Sequence, residues 1–122
     1  MIEVVPLTAE HLRTFEPETP CCDIPEKQFG KAAVYVENGK PLAICLVFEL
    51  DGVVEIGLIM SAEARKFPVS LHRFARLMLA GLHILGCPRI RAVGNNPRSV
   101  AWLLRLGFVE VDGGGFEKWQ TQ

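Results

Sequence analysis

Apolar and polar positions change period several times along the chain, and each change marks an element. The run IEVVPL, residues 2–7, is β-rich and predicts a short strand. Thr8 is a fair N-cap for AEHLRTF, where Leu12 and Phe15 fall on one helical face. Residues 16–25 hold three prolines and the pair Cys21-Cys22, which predicts a loop, with a short helical turn from Pro25 to Phe29. AAVYVE and PLAICLVFEL are β-rich runs joined by Asn38-Gly39-Lys40, a strong hairpin signal. A second turn at Asp51-Gly52 leads into VVEIGLIMS. The second and third strands of this meander are apolar on both faces, which places them at the centre of a sheet.

Pro68 opens a long helix on which Leu71, Phe74, Ala75, Met78, Leu82 and Leu85 share a face, with Arg73, Arg76 and His83 off it. Gly86 and Pro88 stop that helix. RIRAV is the next strand. Asn96 caps a second long helix with Pro97 at its first position, and Trp102, Leu103 and Leu106 line its buried side. FVEV and GFEKWQ, joined through Asp112 to Gly114, are the last two strands. The order β-α-(short α)-β-β-β-α-β-α-β-β predicts an α/β fold. Its sheet is mixed and mostly antiparallel, of about seven strands, with two long helices and one or two short ones.

Composition narrows the class. At 122 residues, with 49% hydrophobic and 22% charged positions, the chain fits one globular domain with a single core. No window approaches 18 uninterrupted apolar residues, and the first residues lack the basic and apolar regions of a signal peptide. The expectation is a cytoplasmic protein without a membrane partner. Residues 1–60 hold 4 Lys/Arg and 10 Asp/Glu and residues 61–122 hold 9 and 4, so the halves carry about −6 and +5. A basic half suits an anionic cofactor, an acidic partner or nucleic acid, or is simply a solvated face. Nucleic acid ranks last, because the arginines lack aromatic platforms and no reader motif is present. Cys21, Cys22, Cys45 and Cys87 form no Cys-x-x-Cys pair, and His11, His72 and His83 are not spaced to complete a zinc site. No metal is expected.

The stretch NNPRSVAWLLRLGF, residues 95–108, carries the candidate chemistry. Together with the element order it resembles the GCN5-related N-acetyltransferase (GNAT) family, with Asn96, Ser99, Trp102 and the pair Gly107-Phe108 at the family's intervals. The element order agrees over nearly the whole chain, and the motifs over Val53 to Val111. The resemblance implies acetyl-CoA or CoA as cofactor and an amine as acceptor. VVEIGLIMS and RIRAV become a parallel pair that splays apart. Backbone groups near Leu58 and Met60 then pair with the pantetheine arm, and an N–H near Met60 holds the oxyanion. Glu55 stands where several members carry a general base, and Asn96 and Ser99 stand on the other side of the cofactor cleft.

Two positions depart from the family. Its pyrophosphate loop, Arg/Gln-x-x-Gly-x-Gly/Ala, reads RKFPVS here: Arg65 is in place, but Pro68 and Ser70 replace the glycines. Proline has no N–H to give a phosphate, and side chains of Arg65, Lys66, Ser70 and Arg73 are left to compensate. The tyrosine that many members use to protonate the CoA thiolate is Leu103, and the one tyrosine, Tyr35, lies in the hairpin. Together these departures resemble a phage-encoded branch of the fold, some of whose members are virion proteins. Two readings follow: an acyl-CoA N-acyltransferase with weak cofactor binding, or a non-catalytic binding or virion-assembly relative. A terminal strand at a sheet edge would suit a homodimer.

Overall fold

The computed structural model describes residues 2–17, 24, 33–50, 53–87, 89–93, 97–111 and 115–119. Its elements are β1 (Ile2–Pro6), α1 (Ala9–Thr14), β2 (Ala33–Glu37), β3 (Lys40–Leu50), β4 (Val53–Met60), a 3-10 helix (Ala62–Lys66), α2 (Pro68–Ile84), β5 (Arg89–Ala92), α3 (Pro97–Arg105), β6 (Val109–Glu110) and β7 (Phe116–Trp119). The seven strands form one sheet in the order β1-β2-β3-β4-β5-β7-β6. The β4–β5 pair is parallel. The pairs β1–β2, β2–β3, β5–β7 and β6–β7 are antiparallel. The expected turns at Asp51-Gly52 and Asp112 to Gly114, and the helical turn from Pro25 to Phe29, lie outside the described residues.

The chain divides into two compact units, Met1–Val47 with Leu58–Met78 and Phe48–Gly57 with Leu79–Gln122. In the first, Asn38 and Gly39 turn the β2–β3 hairpin with φ of 51° and 78°, the left-handed pair that a two-residue hairpin needs. The register slips by a bulge between Tyr35 and Val36. Pro41 to Val47 are buried at every position, as two apolar faces require of a central strand. Tyr35 is fully buried and meets Phe74 of α2 edge to face, with ring centroids 5.9 Å apart and planes at 79°. Its hydroxyl has no hydrogen-bond partner among the described residues. At α1 the N-cap works through a histidine: the Thr8 N–H donates to Nδ1 of His11 at 3.0 Å.

In the second unit Val54, Leu82, Ile90, Phe108 and Phe116 form the core. Both long helices end in the same motif. The N–H groups of Gly86 and Cys87 reach back to His83 and Leu82, and those of Gly107 and Phe108 to Leu104 and Leu103. Each glycine sits at positive φ, 83° and 97°, where a side chain would be strained.

Four expectations shift. Leu85 is in helical phase but sits past the last turn of α2 and is 78% exposed, whereas Leu79, off the expected face, is 5% exposed. Leu71 and Phe74 are buried in the first half of α2 and Leu79 and Leu82 in the second, so the buried side turns around the helix along its length. Trp102 and Leu103 of α3, and Leu106 just past its end, are only half-buried, and α3 has no fully buried residue. The 3-10 helix at 62–66 has no counterpart among the expected elements, and the terminal strand β7 is interior, which makes β6 the edge.

Candidate functional site

The expected site residues fall in both units. Leu58, Met60, Arg65 and Ser70 belong to the first; Glu55 and Ser99 belong to the second, and Asn96 lies outside the described residues. On β4 the last residues paired with β5 are Val54 with Ile90 and Glu55 with Arg91. The strand itself runs on to Met60. Only Val54 of β4 is buried, and Leu58 and Met60 are half-buried. A strand apolar on both faces is expected to be covered throughout, and beyond Val54 this one is not.

After β4 the backbone folds back on itself. Ser61 is buried, and its N–H donates to the Leu42 carbonyl at 2.9 Å. Its Oγ accepts the Ala64 N–H at 3.3 Å, which caps the 3-10 helix. The Phe67 N–H donates to the Ala64 carbonyl and the Leu71 N–H to the Phe67 carbonyl, at 3.0 and 2.9 Å. Those amides are therefore committed within the chain. Pro68 has none, so the first-turn donors of α2 outside its ladder are those of Val69 and Ser70. A loop with glycines at these positions would present more amides to an anion. Arg65, Lys66 and Arg73 are exposed at this end of α2, and Ser70 is half-buried. Lys40 and Glu63 pair at 2.9 Å. That bond and its charge hold the Glu63 carboxyl below its ordinary value and raise the Lys40 ammonium.

In the second unit the sheet register assembles a charged cluster that sequence reasoning missed. Glu55 is opposite Arg91 across the parallel pair, and Arg91 is opposite Glu117 across the β5–β7 pair. Directly paired residues project to the same face, and so does Arg89, two positions from Arg91. The Oε1 of Glu117 accepts from Arg89 at 2.7 Å and from Arg91 at 3.0 Å. The Glu117 side chain is 8% exposed, against 35% for Arg89 and 42% for Arg91. The hydrogen bonds from Arg89 and then Arg91 hold the Glu117 carboxyl below its ordinary value, against the opposing pull of desolvation. Glu55 lies outside these ion pairs and is half-exposed. The alternation RIR and the lone Glu of GFEKW were visible in the sequence; what joins them is that β7 lies beside β5.

The remaining candidates are accounted for locally. Ser99 is half-buried on α3. Leu103, at the family's acid position, is a half-buried hydrocarbon whose carbonyl accepts the Phe108 N–H at 3.0 Å, so Gly107-Phe108 closes a helix cap. Burial pushes the Cys45 thiol up to about 12, which leaves it protonated and inert. Among the described residues no group of His, Cys, Asp or Glu is arranged to hold a metal ion, and no helix is long and apolar enough to cross a membrane.

No family model matches the sequence, and no curated protein matches it. Solved structures do match. The ribosomal-protein-S18-alanine N-acetyltransferase of Escherichia coli aligns with a TM-score of 0.70 at 13% identity, over 97% of this chain and 90% of that one. N-acetylglutamate synthase of Neisseria gonorrhoeae, solved with coenzyme A and N-acetyl-glutamate, gives 0.76 at 11% identity, over 100% of this chain and 36% of that one. A GNAT-family acetyltransferase of Streptococcus agalactiae gives 0.59 at 17% identity, over 76% and 67%. At such identities the likeness is one of fold. The chain has the fold of the GCN5-related N-acetyltransferases: a mostly antiparallel sheet of seven strands with one parallel pair.

Proposed function

We propose that the chain transfers an acyl group from acetyl-CoA or another acyl-CoA to an amine. The observation that carries this reading is β4. Among the described residues its pairing with β5 stops at Glu55, while its backbone N–H and C=O groups continue to Met60. Leu58 and Met60 offer those groups to the amides of a pantetheine arm, as one strand does to another. The Met60 N–H stabilises the oxyanion formed when the amine attacks the thioester. Glu55 takes the amine's proton. The Val69 and Ser70 N–H groups, with Arg65, receive the pyrophosphate. Structures of the same fold hold coenzyme A, which supports the cofactor assignment.

The second reading, a non-catalytic binding or virion-assembly relative, turns on whether the loop before α2 still holds the cofactor. Pro68 removes a donor and the amides before it are committed to the 3-10 helix. A lost contact of this kind costs about 1–3 kcal/mol, or roughly tenfold in affinity per 1.4 kcal/mol. Leu103 slows the chemistry without abolishing it, since a thiolate leaves readily and water supplies the proton.

Thermal melting with CoA and with acetyl-CoA decides between them, because ligand at a hundred times its dissociation constant stabilises by about 2.7 kcal/mol. The expected result is weak binding, improved by Pro68→Gly and weakened by Arg65→Glu, most strongly at low salt. Absence of binding in both the native and Pro68→Gly proteins would leave the fold without the activity.

A further inference from the structure

The exposed side of α2 is apolar over its second half, where an amphipathic helix would turn polar residues to water. Leu77 and Ile84 are 60% and 83% exposed, and Leu85, one residue past the helix, is 78% exposed. Ala80 is exposed and Gly81 half-buried. At about 100° per residue, Leu77, Ala80, Gly81 and Ile84 fall within about 100° of helix surface. They lie on one continuous helix, so helix geometry alone sets their spacing.

Gly81 is the residue that local structure does not explain. Glycine weakens a helix interior relative to alanine. A Cβ added there meets nothing within 4 Å, so packing within the chain does not require its absence. The approach of another helix does. Small residues at a crossing, with large apolar ones on either side, let two helix axes come close.

We propose that this stripe docks a second copy of the chain, α2 against α2, antiparallel about a two-fold axis between Ala80 and Gly81. The spacing is self-complementary, as an interface with that symmetry requires. Ala80 of one copy meets Gly81 of the other, and Leu77 of one meets Ile84 of the other. Charge selects the direction. The helix carries Arg73 and Arg76 and no carboxylate. In a parallel pair each arginine would stand beside its own copy. In the antiparallel pair Arg76 lies at the carboxyl end of the other helix, where the macrodipole is negative. The two Arg76 residues are then about 13 Å apart along the axis and the two Arg73 residues about 22 Å, beyond the Debye length of about 8 Å at physiological salt. The other helix ends opposite Leu77 and leaves the first turn of α2 uncovered, so the pairing is independent of the acyl-transfer reading.

Sedimentation equilibrium of the full chain from about 1 to 500 μM tests the pairing, and an interface of a few side chains from each copy predicts a Kd of about 10–100 μM. Leu77→Glu and Ile84→Lys, both at exposed positions, should each raise Kd about tenfold or more while far-ultraviolet circular dichroism and Tm hold. Gly81→Leu separates a close crossing from a merely sticky patch. It adds apolar surface, yet should raise Kd by a similar factor because the backbones no longer approach. Arg76→Glu reads the direction: it weakens an antiparallel dimer and would tighten a parallel one. A dimer indifferent to Leu77→Glu and Ile84→Lys, or tightened by Gly81→Leu or Arg76→Glu, overturns the proposal. A chain that stays monomeric throughout also overturns it, with an acidic, apolar helix of another protein as the occupant left.

Discussion

Removing a single oxygen from the core should stabilise this protein. Tyr35 is fully buried, and its hydroxyl lacks a partner among the described residues. A hydroxyl left unpaired on burial costs about 1–3 kcal/mol relative to water. Tyr35→Phe deletes that group and keeps the ring, so the edge contact with Phe74 at 5.9 Å survives. After allowance for a few lost dispersion contacts, the net gain is about 1 kcal/mol. For a chain of 122 residues this raises Tm by roughly 3–6 °C. Urea unfolding followed by far-ultraviolet circular dichroism reads the change as a higher midpoint at constant slope. Tyr35→Leu serves as the opposite control: it removes the same hydroxyl but also the ring pair, worth about 0.5–1.5 kcal/mol beyond its area, and should destabilise. Loss of about 1 kcal/mol or more in Tyr35→Phe would refute the reasoning, because the hydroxyl would then be bonded.

Three further outcomes are expected. Gly86→Ala and Gly107→Ala should each cost about 1–2 kcal/mol from positive φ alone. An added Cβ at Gly86 meets nothing within 4 Å, and at Gly107 it meets the flexible end of Lys118, Nζ at 2.6 Å and Cε at 3.8 Å. Denaturation midpoints that separate the two by several kcal/mol would contradict this. The Glu117 carboxyl is depressed by Arg89 and Arg91, so it contributes stability above its unfolded value of 4.5 that is lost as pH falls through the lower folded value. Melting curves of Glu117→Gln should therefore lose part of the native protein's acid sensitivity, and an unchanged pH profile would show that the cluster does not couple to folding. Finally, iodoacetamide at about pH 8 should alkylate Cys87 in the native state and Cys45 only after denaturation, as read by peptide mass mapping.

Local chemistry was the legible part of the sequence. Asn38-Gly39 named its turn, Pro68 and Pro97 named the first residues of two helices, and Gly86 and Gly107 named their ends. Each of those signals acts through the backbone of the residue itself and needs no distant partner. Leu85 failed for the opposite reason. Helical phase assigns it to the inner face, but phase says nothing of how far along a helix the cover extends. The cluster of Arg89, Arg91 and Glu117 depends on β7 inserting beside β5, a pairing across 26 and 28 positions of chain that periodicity cannot encode. The 3-10 helix before α2 has no signal within RKFPVS itself; Ser61, which caps that turn, lies just upstream. Asn96 and the loop between α1 and β2 fall outside the described residues save for Ile24.

The two outermost strands bear on how the molecule behaves in a crowd. β1 ends at Pro6, which has no N–H to lend, and carries an exposed Glu3; β6 is two residues long and ends in the exposed Glu110. A growing fibril needs a long, flat, uncharged flank on which to template the next copy, and neither flank supplies one. Colloidal tolerance is thus written into the margins of the sheet, and lengthening β6 with apolar residues is the change that would erode it.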